Sequence, residues 1–235
     1  DDVPLVVPEV NSHVIKNHSG ILANPNCSTI ILVIALEPLR QRSGLHSVMV
    51  STYQAASGAG QRAMDELYSS TRAALDGDDQ APPDALRQPL AFNVFPQVDD
   101  FMGDGFTREE DKMLFEARKI LELPELKLDA TCVRVPVARC HSESVSVQLE
   151  RQLSVTDARE LFNRSPGLEL ADQPSIMRYP MPRDYAGRDE IGVGRIRIAR
   201  VFNPGLTFWL VGDQLRKGAA LNALQIAEAM QVSAT

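Results

Sequence analysis

A continuous apolar segment near the N-terminus constrains the fold of this chain more than any other feature of its sequence. Residues 30–39 read IILVIALEPL, a pattern typical of a helix or another buried segment. Gly44 follows as a stop signal, so the sequence predicts a helix over residues 28–42. The unbroken apolar part, Ile30–Leu36, is far too short to cross a bilayer. The helix is therefore expected to be packed inside a protein core.

Cys27 stands at or just before the N-terminus of this predicted helix, within the sequence NPNCST. A turn at its Asn-Pro-Asn residues precedes the helix, and Ser28 or Thr29 is expected to cap it. The free amides and the helix dipole favour an anion at this end, so a thiol here is expected to have a lowered pKa. The alternative is that Cys27 is simply a small buried hydrophobic residue, as most free cysteines are.

Composition and charge limit the classes of function. The chain has 235 residues, of which 44% are hydrophobic, enough to build one large domain or two small ones. The net charge is −7 and no run of Lys or Arg occurs, so we expect neither nucleic acid nor a membrane as a partner. Three cysteines cannot all pair, which favours free thiols in a reduced, cytoplasmic compartment. The start of the chain lacks the pattern of a signal peptide and is expected to belong to a longer protein.

The pattern of apolar residues predicts alternating helices and strands. Strands are predicted over residues 4–10, 46–54, 126–137, 143–150, 190–201 and 207–214. Helices are predicted over residues 28–42, 60–75, 107–121, 154–164 and 215–231, with a polar loop over 76–89. Thr107 with Glu110 has the pattern of a capping box, and Ser154 that of a cap. Because the later strands come in runs, the expected fold class is α+β, with a mixed, mainly antiparallel sheet covered by helices on one face.

Two residues near the middle of the chain are candidates for chemistry with a cysteine. In CVRVPVARCHSESV, Arg134 lies within an apolar strand and His141 on the following loop or the start of the next strand. Such a histidine is well placed for proton transfer, although a plain surface histidine is the more common case. Arg134 either faces solvent or is held for an anion, and its planar guanidinium suits a carboxylate.

Other polar motifs are less specific. Glu109 and Lys112 are three residues apart on one helix face, which is also the pattern of an ordinary solvated face. Gln54 ends a predicted strand and is followed by small residues that permit close backbone approach. No G-x-G-x-x-G fingerprint occurs, and the spacing of the cysteines and His141 does not fit a metal site.

Taken in order, several motifs resemble the aspartate-β-semialdehyde dehydrogenase family. They are NPNCST, STYQAASGAG, AFNVFPQVD, TREEDK, CVRVPVARCHSESV, VGRIR and VGDQLRKGAALNALQIAE. The resemblance spans nearly the whole chain and implies a C-terminal domain like that of glyceraldehyde-3-phosphate dehydrogenase. It implies a remnant of the nucleotide-binding domain at 1–25, a catalytic and dimerisation domain at 26–214, and a returning C-terminal helix at 215–235. The rest of the family's nucleotide-binding region, with its phosphate-binding arginine, is expected upstream.

The same resemblance implies roles for individual residues. Cys27 matches the acyl-forming nucleophile and His141 the acid–base histidine. Positions that resemble substrate-binding residues are Gln54, Glu109 and Arg134, and Lys112 resembles the phosphate-binding lysine. Positions that resemble contacts of the NADP cofactor are Ser57, Gly58 and Gln214.

The implied reaction is the reversible, NADP-dependent conversion of L-4-aspartyl phosphate to L-aspartate 4-semialdehyde and phosphate through a cysteine thioester. The implied setting is lysine, methionine and threonine biosynthesis, by a cytoplasmic homodimer or tetramer. An N-acetylglutamyl-phosphate reductase-like enzyme is an alternative, although it has no need of Glu109 for a free amino group. A truncated, inactive scaffold is the second alternative, and this chain alone is expected to bind NADP weakly and to show no dehydrogenase turnover.

Overall fold

The computed structural model describes residues 3–78 and 82–233, and within them one six-stranded sheet forms the framework. Its strands are β1 (Leu45–Gln54), β2 (Lys127–Arg134), β3 (His141–Leu149), β4 (Leu168–Leu170), β5 (Ile191–Ile198) and β6 (Gly205–Gly212). Their order is β2-β1-β3-β6-β5-β4. The β1–β2 and β4–β5 pairs are parallel and the other three pairs are antiparallel. The expected mixed, mainly antiparallel sheet is therefore confirmed.

The helices lie mostly where the sequence predicts them. They are α1 (Pro8–Asn11), α2 (Cys27–Ser43), α3 (Gln61–Leu75), α4 (Arg108–Ile120), α5 (Val155–Arg164), α6 (Pro182–Tyr185) and α7 (Leu221–Ser233). Short 3₁₀ turns cover Ser12–Asn17, Ala56–Ala59 and Pro174–Ile176, and a π-helical turn, Arg216–Ala220, precedes α7. The predicted caps of α4 and α5 are confirmed. Of the predicted loop 76–89, residues 79–81 lie outside the described part.

Two predicted elements differ from the structure. The strand expected over residues 4–10 is a single bridge between Leu5 and Ala23, followed by α1. Pro8 explains the change, because proline favours the first turn of a helix and cannot donate to a sheet. The helix expected over 215–231 begins instead with the π-helical turn. Strand β4, which has three residues, is too short to leave a pattern in the sequence.

Helix α2 lies at the centre of the core. Residues 30–36 are fully buried and α2 contacts α4, α5 and strands β1, β3 and β6. Its cap is Asn26, whose Oδ1 accepts hydrogen bonds from the N–H groups of Ser28 (2.9 Å) and Thr29 (3.1 Å). The prediction that Ser28 or Thr29 caps the helix is wrong, because both residues already lie within α2. Gly44 ends the helix with a positive φ of 70°, which glycine adopts without strain.

The face of the sheet beneath these helices carries its side chains in rows across β2, β1 and β3. The row at the ends of β1 and β2, which we call the site row, contains Arg134, Gln54 and His141. The next row, which we call the second row, contains Cys132, Thr52 and Glu143. The row after that is apolar and contains Ala130, Val50 and Val145. The polar residues are thus confined to one end of an otherwise apolar face.

Candidate active site

Cys27 is the first residue of α2 and is partly exposed. The loop before it is held because the Asn26 N–H donates to Glu116 Oε2 on α4 (2.8 Å). The π-helical turn closes against Cys27 from the other side, since a Cβ added to Gly218 lies only 3.0 Å from the Cys27 Cβ. Two helices and one turn therefore fix the position of this thiol.

The predicted lowering of the Cys27 pKa is wrong for this form of the protein. Removal from water, followed by the charge of Glu109, raises the pKa of the thiol to about 12. The Ser28 backbone and side chain and the charge of Arg134 act in the opposite direction, but they do not offset the burial. The helix N-terminus is present as expected, yet the group it faces is a neutral thiol.

His141 is the first residue of β3 and is fully buried, so it is not on a polar loop. Its Nδ1 accepts a hydrogen bond from the Ala55 N–H (3.1 Å), which places the ring hydrogen of the neutral imidazole on Nε2. Nε2 is buried without a partner among the described residues. Burial and the charge of Arg134 lower the pKa of His141 to about 3. His141 therefore presents a neutral N–H donor to the site.

Arg134 faces the site rather than solvent. It is buried, and its Nη1 donates to the Ala55 carbonyl oxygen (2.7 Å). Burial lowers the pKa of Arg134, while the charge of Glu109 raises it, and the guanidinium remains a cation. A Cβ added to Gly58 lies 2.8 and 2.9 Å from Cε1 and Nε2 of His141 and 3.1 Å from Arg134 Nη1. The backbone of Gly58 thus holds both side chains in place.

A second set of polar residues extends from Gln54 to α4. Gln54 Nε2 donates to Glu109 Oε1 (3.1 Å), and both residues are buried. Lys112 Nζ lies 2.8 Å from Asp99 Oδ2 and 3.7 Å from Glu109 Oε2. Partial burial acts to lower the pKa of Lys112, but Asp99 and Glu109 raise it overall. On this helix face Glu109 is therefore buried against Gln54, whereas the Lys112 side chain is 43% exposed.

Ser57 and Gln214 meet on the side of the π-helical turn. Gln214 Nε2 donates to Ser57 Oγ, and Gln214 Oε1 accepts from the Cys140 N–H (3.0 Å). Cys140 has a positive φ of 75°, which is uncommon for a residue with a side chain. This backbone turn immediately before His141 sets the direction in which β3 begins.

The residues predicted from the sequence converge on one site at the N-terminus of α2. Gly218 links Cys27 to Gln214, Gly58 links His141 to Arg134, and Cys27 interacts with the charges of Glu109 and Arg134. The site combines a thiol, an N–H donor, a buried cation and a buried carboxylate. This combination suits attack on an acyl carbon of a substrate that carries both charges.

Sequence reasoning missed several residues that support the site. They are Thr52, Ala55, Asp99, Glu116 and Glu143. Glu143 had a readable signal, because a residue two positions after His141 on a strand shares its face. Ala55 had none, because it acts through its backbone. Among the described residues no group of His, Cys, Asp and Glu can hold a metal ion. Nor is any helix in that part of the chain both long enough and apolar enough to cross a membrane.

Comparison with protein families gives a match over most of the chain. Residues 36–217 match the family described as semialdehyde dehydrogenase, dimerisation domain. The chain is 50% identical over 229 residues to an aspartate-semialdehyde dehydrogenase of Aquifex aeolicus. The match covers 97% of this chain and 67% of that protein. This chain is also 47% identical over 238 residues to the Bacillus subtilis protein of the same name. That match covers 98% of this chain and 69% of the Bacillus subtilis protein.

Solved structures give the same result. Aspartate semialdehyde dehydrogenase II of Vibrio cholerae, complexed with ASA, superposes with a TM-score of 0.93 at 40% identity. The superposition covers 97% of this chain and 68% of that one. The Candida albicans aspartate semialdehyde dehydrogenase with NADP gives a TM-score of 0.73 at 26% identity over 98% of this chain and 67% of that one.

Proposed function

Because this chain belongs to the aspartate-semialdehyde dehydrogenase family, we propose that it interconverts L-4-aspartyl phosphate and L-aspartate 4-semialdehyde. We assign it the NADP-dependent form of the reaction, in lysine, methionine and threonine biosynthesis in the cytoplasm. The observation that carries the proposal is the pairing of two buried opposite charges, Arg134 and Glu109, beside the Cys27 thiol. An amino acid substrate has one carboxylate and one ammonium to meet them. An N-acetylated substrate has no ammonium for Glu109.

In the biosynthetic direction Cys27 is the nucleophile. Its sulfur attacks the acyl carbon of aspartyl phosphate, the carbon–oxygen bond to phosphate breaks, and a thioester forms. The thiol proton leaves with the phosphate, so this half-reaction needs no external base. Addition of a hydride to the thioester carbon, loss of the sulfur as a thiolate and uptake of one proton from solvent then release the semialdehyde and regenerate the thiol. The cofactor, when bound, would supply the hydride in its reduced form, NADPH, and accept it in its oxidised form.

His141 acts on the oxygen of the reacting carbon. With its hydrogen on Nε2 and Nδ1 held by the Ala55 N–H, the ring donates a hydrogen bond to the oxyanion that forms at each step. The reverse reaction requires a base for the hydroxyl proton. For His141 to accept that proton at Nε2, its hydrogen has to move to Nδ1, which gives up the Ala55 hydrogen bond. By microscopic reversibility, the proton that His141 accepts in this direction is returned by His141 in the reductive direction.

Ser57, Gly58 and Gln214 fit the nicotinamide end of the cofactor in part. Gly58 has no side chain, so its backbone lies close to the His141 ring at the proposed reaction centre. Gln214 uses one amide N–H for Ser57 and has a second N–H for a ligand. Contacts to the rest of a dinucleotide need a nucleotide-binding fold, so these residues alone support weak binding, with a dissociation constant on the order of 1 mM or worse.

Lys112 is the proposed phosphate contact. Its ammonium remains a cation, and its Nζ donates to Asp99 Oδ2 at 2.8 Å. A bound phosphate has to compete with Asp99 for the ammonium. Arg134 then binds the substrate carboxylate, because its guanidinium is planar, and Lys112 binds the phosphate, because its ammonium acts as a point charge.

We also propose a homodimer or tetramer, built through the face of the sheet that the helices leave uncovered. Met49 and Tyr53 are 49% and 37% exposed on that face, and the Tyr53 and Trp209 rings are in contact there. Large exposed apolar side chains on an uncovered sheet face, here among polar neighbours such as Ser51 and Ser144, are typical of a self-association surface.

The two ends of the chain support the proposed division at 1–25, 26–214 and 215–235. Ile226 of the C-terminal segment packs with Val6 and Ile15 of the N-terminal segment in a separate small apolar cluster. The two terminal segments thus pack on each other, while Val7 of the N-terminal segment also belongs to the main core.

The first half-reaction tests the proposal without the cofactor. L-4-aspartyl phosphate is expected to release one phosphate per chain and leave an aspartyl thioester on Cys27, detected by mass spectrometry. Arg134→Lys keeps the charge but loses the planar fork, so thioester formation at low substrate is expected to slow by about 10- to 150-fold, equivalent to about 1.5–3 kcal/mol. Cys27→Ala is the control for labelling at other sites. Equal acylation by N-acetylglutamyl phosphate would favour the alternative enzyme.

A further inference from the structure

Glu143 is a buried acidic residue that the proposed reaction does not use. It lies in the second row, on the same face of β3 as His141, and its exposed fraction is 0%. Both of its carboxylate oxygens are buried without a hydrogen-bond partner among the described residues. An ionised carboxylate in such a position is very costly unless it is paired. The neutral acid, in contrast, has one O–H that can donate.

Among residues 3–78 and 82–233, no cation is in contact with Glu143. On β3 itself the flanking residues of the same face are His141 and Val145, and the residue opposite on β6 is Leu210. The titratable groups nearby are the Cys132 thiol on β2 and, at the N-terminus of α2, the Cys27 thiol. The charged groups beyond the second row are Arg134, Glu109 and Glu110, and Arg134 is bound to Ala55. Consistent with this, burial raises the pKa of Glu143 well above its usual range.

Thr52 lies directly opposite Glu143 in the antiparallel pair of β1 and β3. Side chains in this relation have Cβ atoms about 4.5–5.5 Å apart, within reach of a glutamate carboxyl. Thr52 Oγ1 donates its hydrogen to Gln54 Oε1 (3.0 Å), so its lone pairs remain available as acceptors. Gln54 in turn donates from Nε2 to Glu109 (3.1 Å).

We propose that Glu143 is a neutral carboxylic acid whose side chain turns from its present unpartnered position to donate its hydrogen to Thr52, and thereby fixes the orientation of the Gln54 amide. Each residue then donates a hydrogen bond to the next one. Glu143 donates to Thr52, Thr52 to Gln54, and Gln54 to Glu109. An ionised Glu143 accepts from Thr52 instead, which takes the Thr52 hydrogen from Gln54 and frees the amide to rotate. Glu143 is thus a positioning residue for Gln54. This role in substrate binding rests on the proposed function, whereas the neutral state of Glu143 does not.

The first test measures the protonation state without any turnover. In the folded chain Glu143 keeps its proton, whereas in the unfolded chain an ordinary glutamate loses it above about pH 4.5. The folded state therefore binds one more proton, so stability falls as pH rises. Glu143→Gln removes this term. The ratio of the unfolding constants of the wild type and the variant is expected to rise about tenfold per pH unit between about pH 5 and 7.

Infrared spectroscopy gives an independent readout in the same samples. The wild type is expected to show a protonated-carboxyl band at neutral pH that Glu143→Gln lacks. A constant ratio of unfolding constants, or a spectrum without that band, overturns the neutral state of Glu143 whatever the fate of the proposed reaction.

The second test addresses positioning. Glu143→Leu has no donor, whereas Glu143→Gln keeps an N–H donor, so the Leu variant is expected to lose about three- to tenfold more of the rate of thioester formation at low substrate than the Gln variant, mainly through weaker substrate binding. Thr52→Val interrupts the same series of hydrogen bonds at its next member. Its loss is expected to match that of Glu143→Leu. Equal losses in the Gln and Leu variants contradict positioning. A wild type that forms no thioester with L-4-aspartyl phosphate but shows the expected infrared band refutes the proposed function alone.

Discussion

Two buried polar regions of this molecule are built on opposite principles. In the first, which we call the C-terminal latch, Lys217 is 1% exposed and its Nζ lies 2.6 Å from Glu9 Oε2, 3.0 Å from Asn222 Oδ1 and 2.5 Å from Gln225 Oε1. In the second, the candidate site, His141 Nε2 and both oxygens of Glu143 have no partner among the described residues. Both regions carry charged or titratable groups away from water.

The difference separates structure from function. Every N–H of the Lys217 ammonium is used, so the latch has nothing to offer a ligand and serves to join α1 and the π-helical turn. The site instead holds groups whose pKa values burial shifts, His141 downward and Cys27 upward, and leaves them free to meet a substrate. The following changes either break this contrast or sharpen it.

Removing the ammonium of the latch is expected to have the largest effect. Lys217→Met leaves the Glu9 carboxylate, whose side chain is 12% exposed, without its cation. Breaking a buried pair from one side typically costs about 3–5 kcal/mol, measured by chemical denaturation. Arg62→Met is the matched control, because its pair with Asp84 lies in solvent and is worth less than about 1 kcal/mol. Similar losses in both variants would show that the latch contributes no more than a surface pair.

Adding one methyl group to the site is expected to separate activity from stability. In Gly58→Ala the new Cβ meets the His141 ring at 2.8 Å and Arg134 Nη1 at 3.1 Å, so both side chains have to move. A displacement of about 1 Å at reacting groups costs roughly 100-fold in rate, and thioester formation is the readout. Gly103→Ala is the control, since its Cβ meets no atom within 4 Å. An active Gly58→Ala variant would mean that these side chains have room to shift.

The same contrast explains what the sequence predicted. Helix α2 and strands β1 and β6 were predictable because period and composition alone determine them. Cys27, Arg134 and His141 were identified as candidate site residues because their residue types have strong chemical preferences. The latch left no such signal, because Glu9 and Lys217 are 208 positions apart in the chain and only the fold brings them together.

The direction of the pKa shift at Cys27 was wrong for a related reason. A helix N-terminus can be read from a local motif, but burial depends on α4, on the π-helical turn and on other distant segments. Ala55 was equally unreadable, because its backbone N–H and C=O hold His141 and Arg134 and any residue type carries those two groups. The sequence thus reveals which groups are present, whereas their protonation depends on long-range packing.

Alkylation of Cys27 is expected to depend on pH in the way a thiol with a raised pKa does. Because its pKa is about 12, the thiolate fraction and the rate with iodoacetamide rise about tenfold per pH unit from pH 7 to 10. The urea-unfolded chain is the control, where the rate levels off above about pH 9. Among the three cysteines Cys27 is expected to react first, because Cys132 and Cys140 are buried. A rate that is already at its plateau at pH 7 would show an ionised thiol and a lowered pKa.

The smallest expected effect compares two helix caps. Asn26 caps α2 directly before Cys27, and Ser154 caps α5, where its Oγ accepts from the Asp157 N–H at 3.1 Å. Asn26→Ala and Ser154→Ala are each expected to cost about 1 kcal/mol of stability, since either leaves helix N–H groups unpaired. Only Asn26→Ala releases the turn that positions Cys27, so it alone is expected to slow thioester formation, by a few-fold. If Ser154→Ala slows thioester formation equally, the effect comes from general loss of stability, and the turn before Cys27 has no special role.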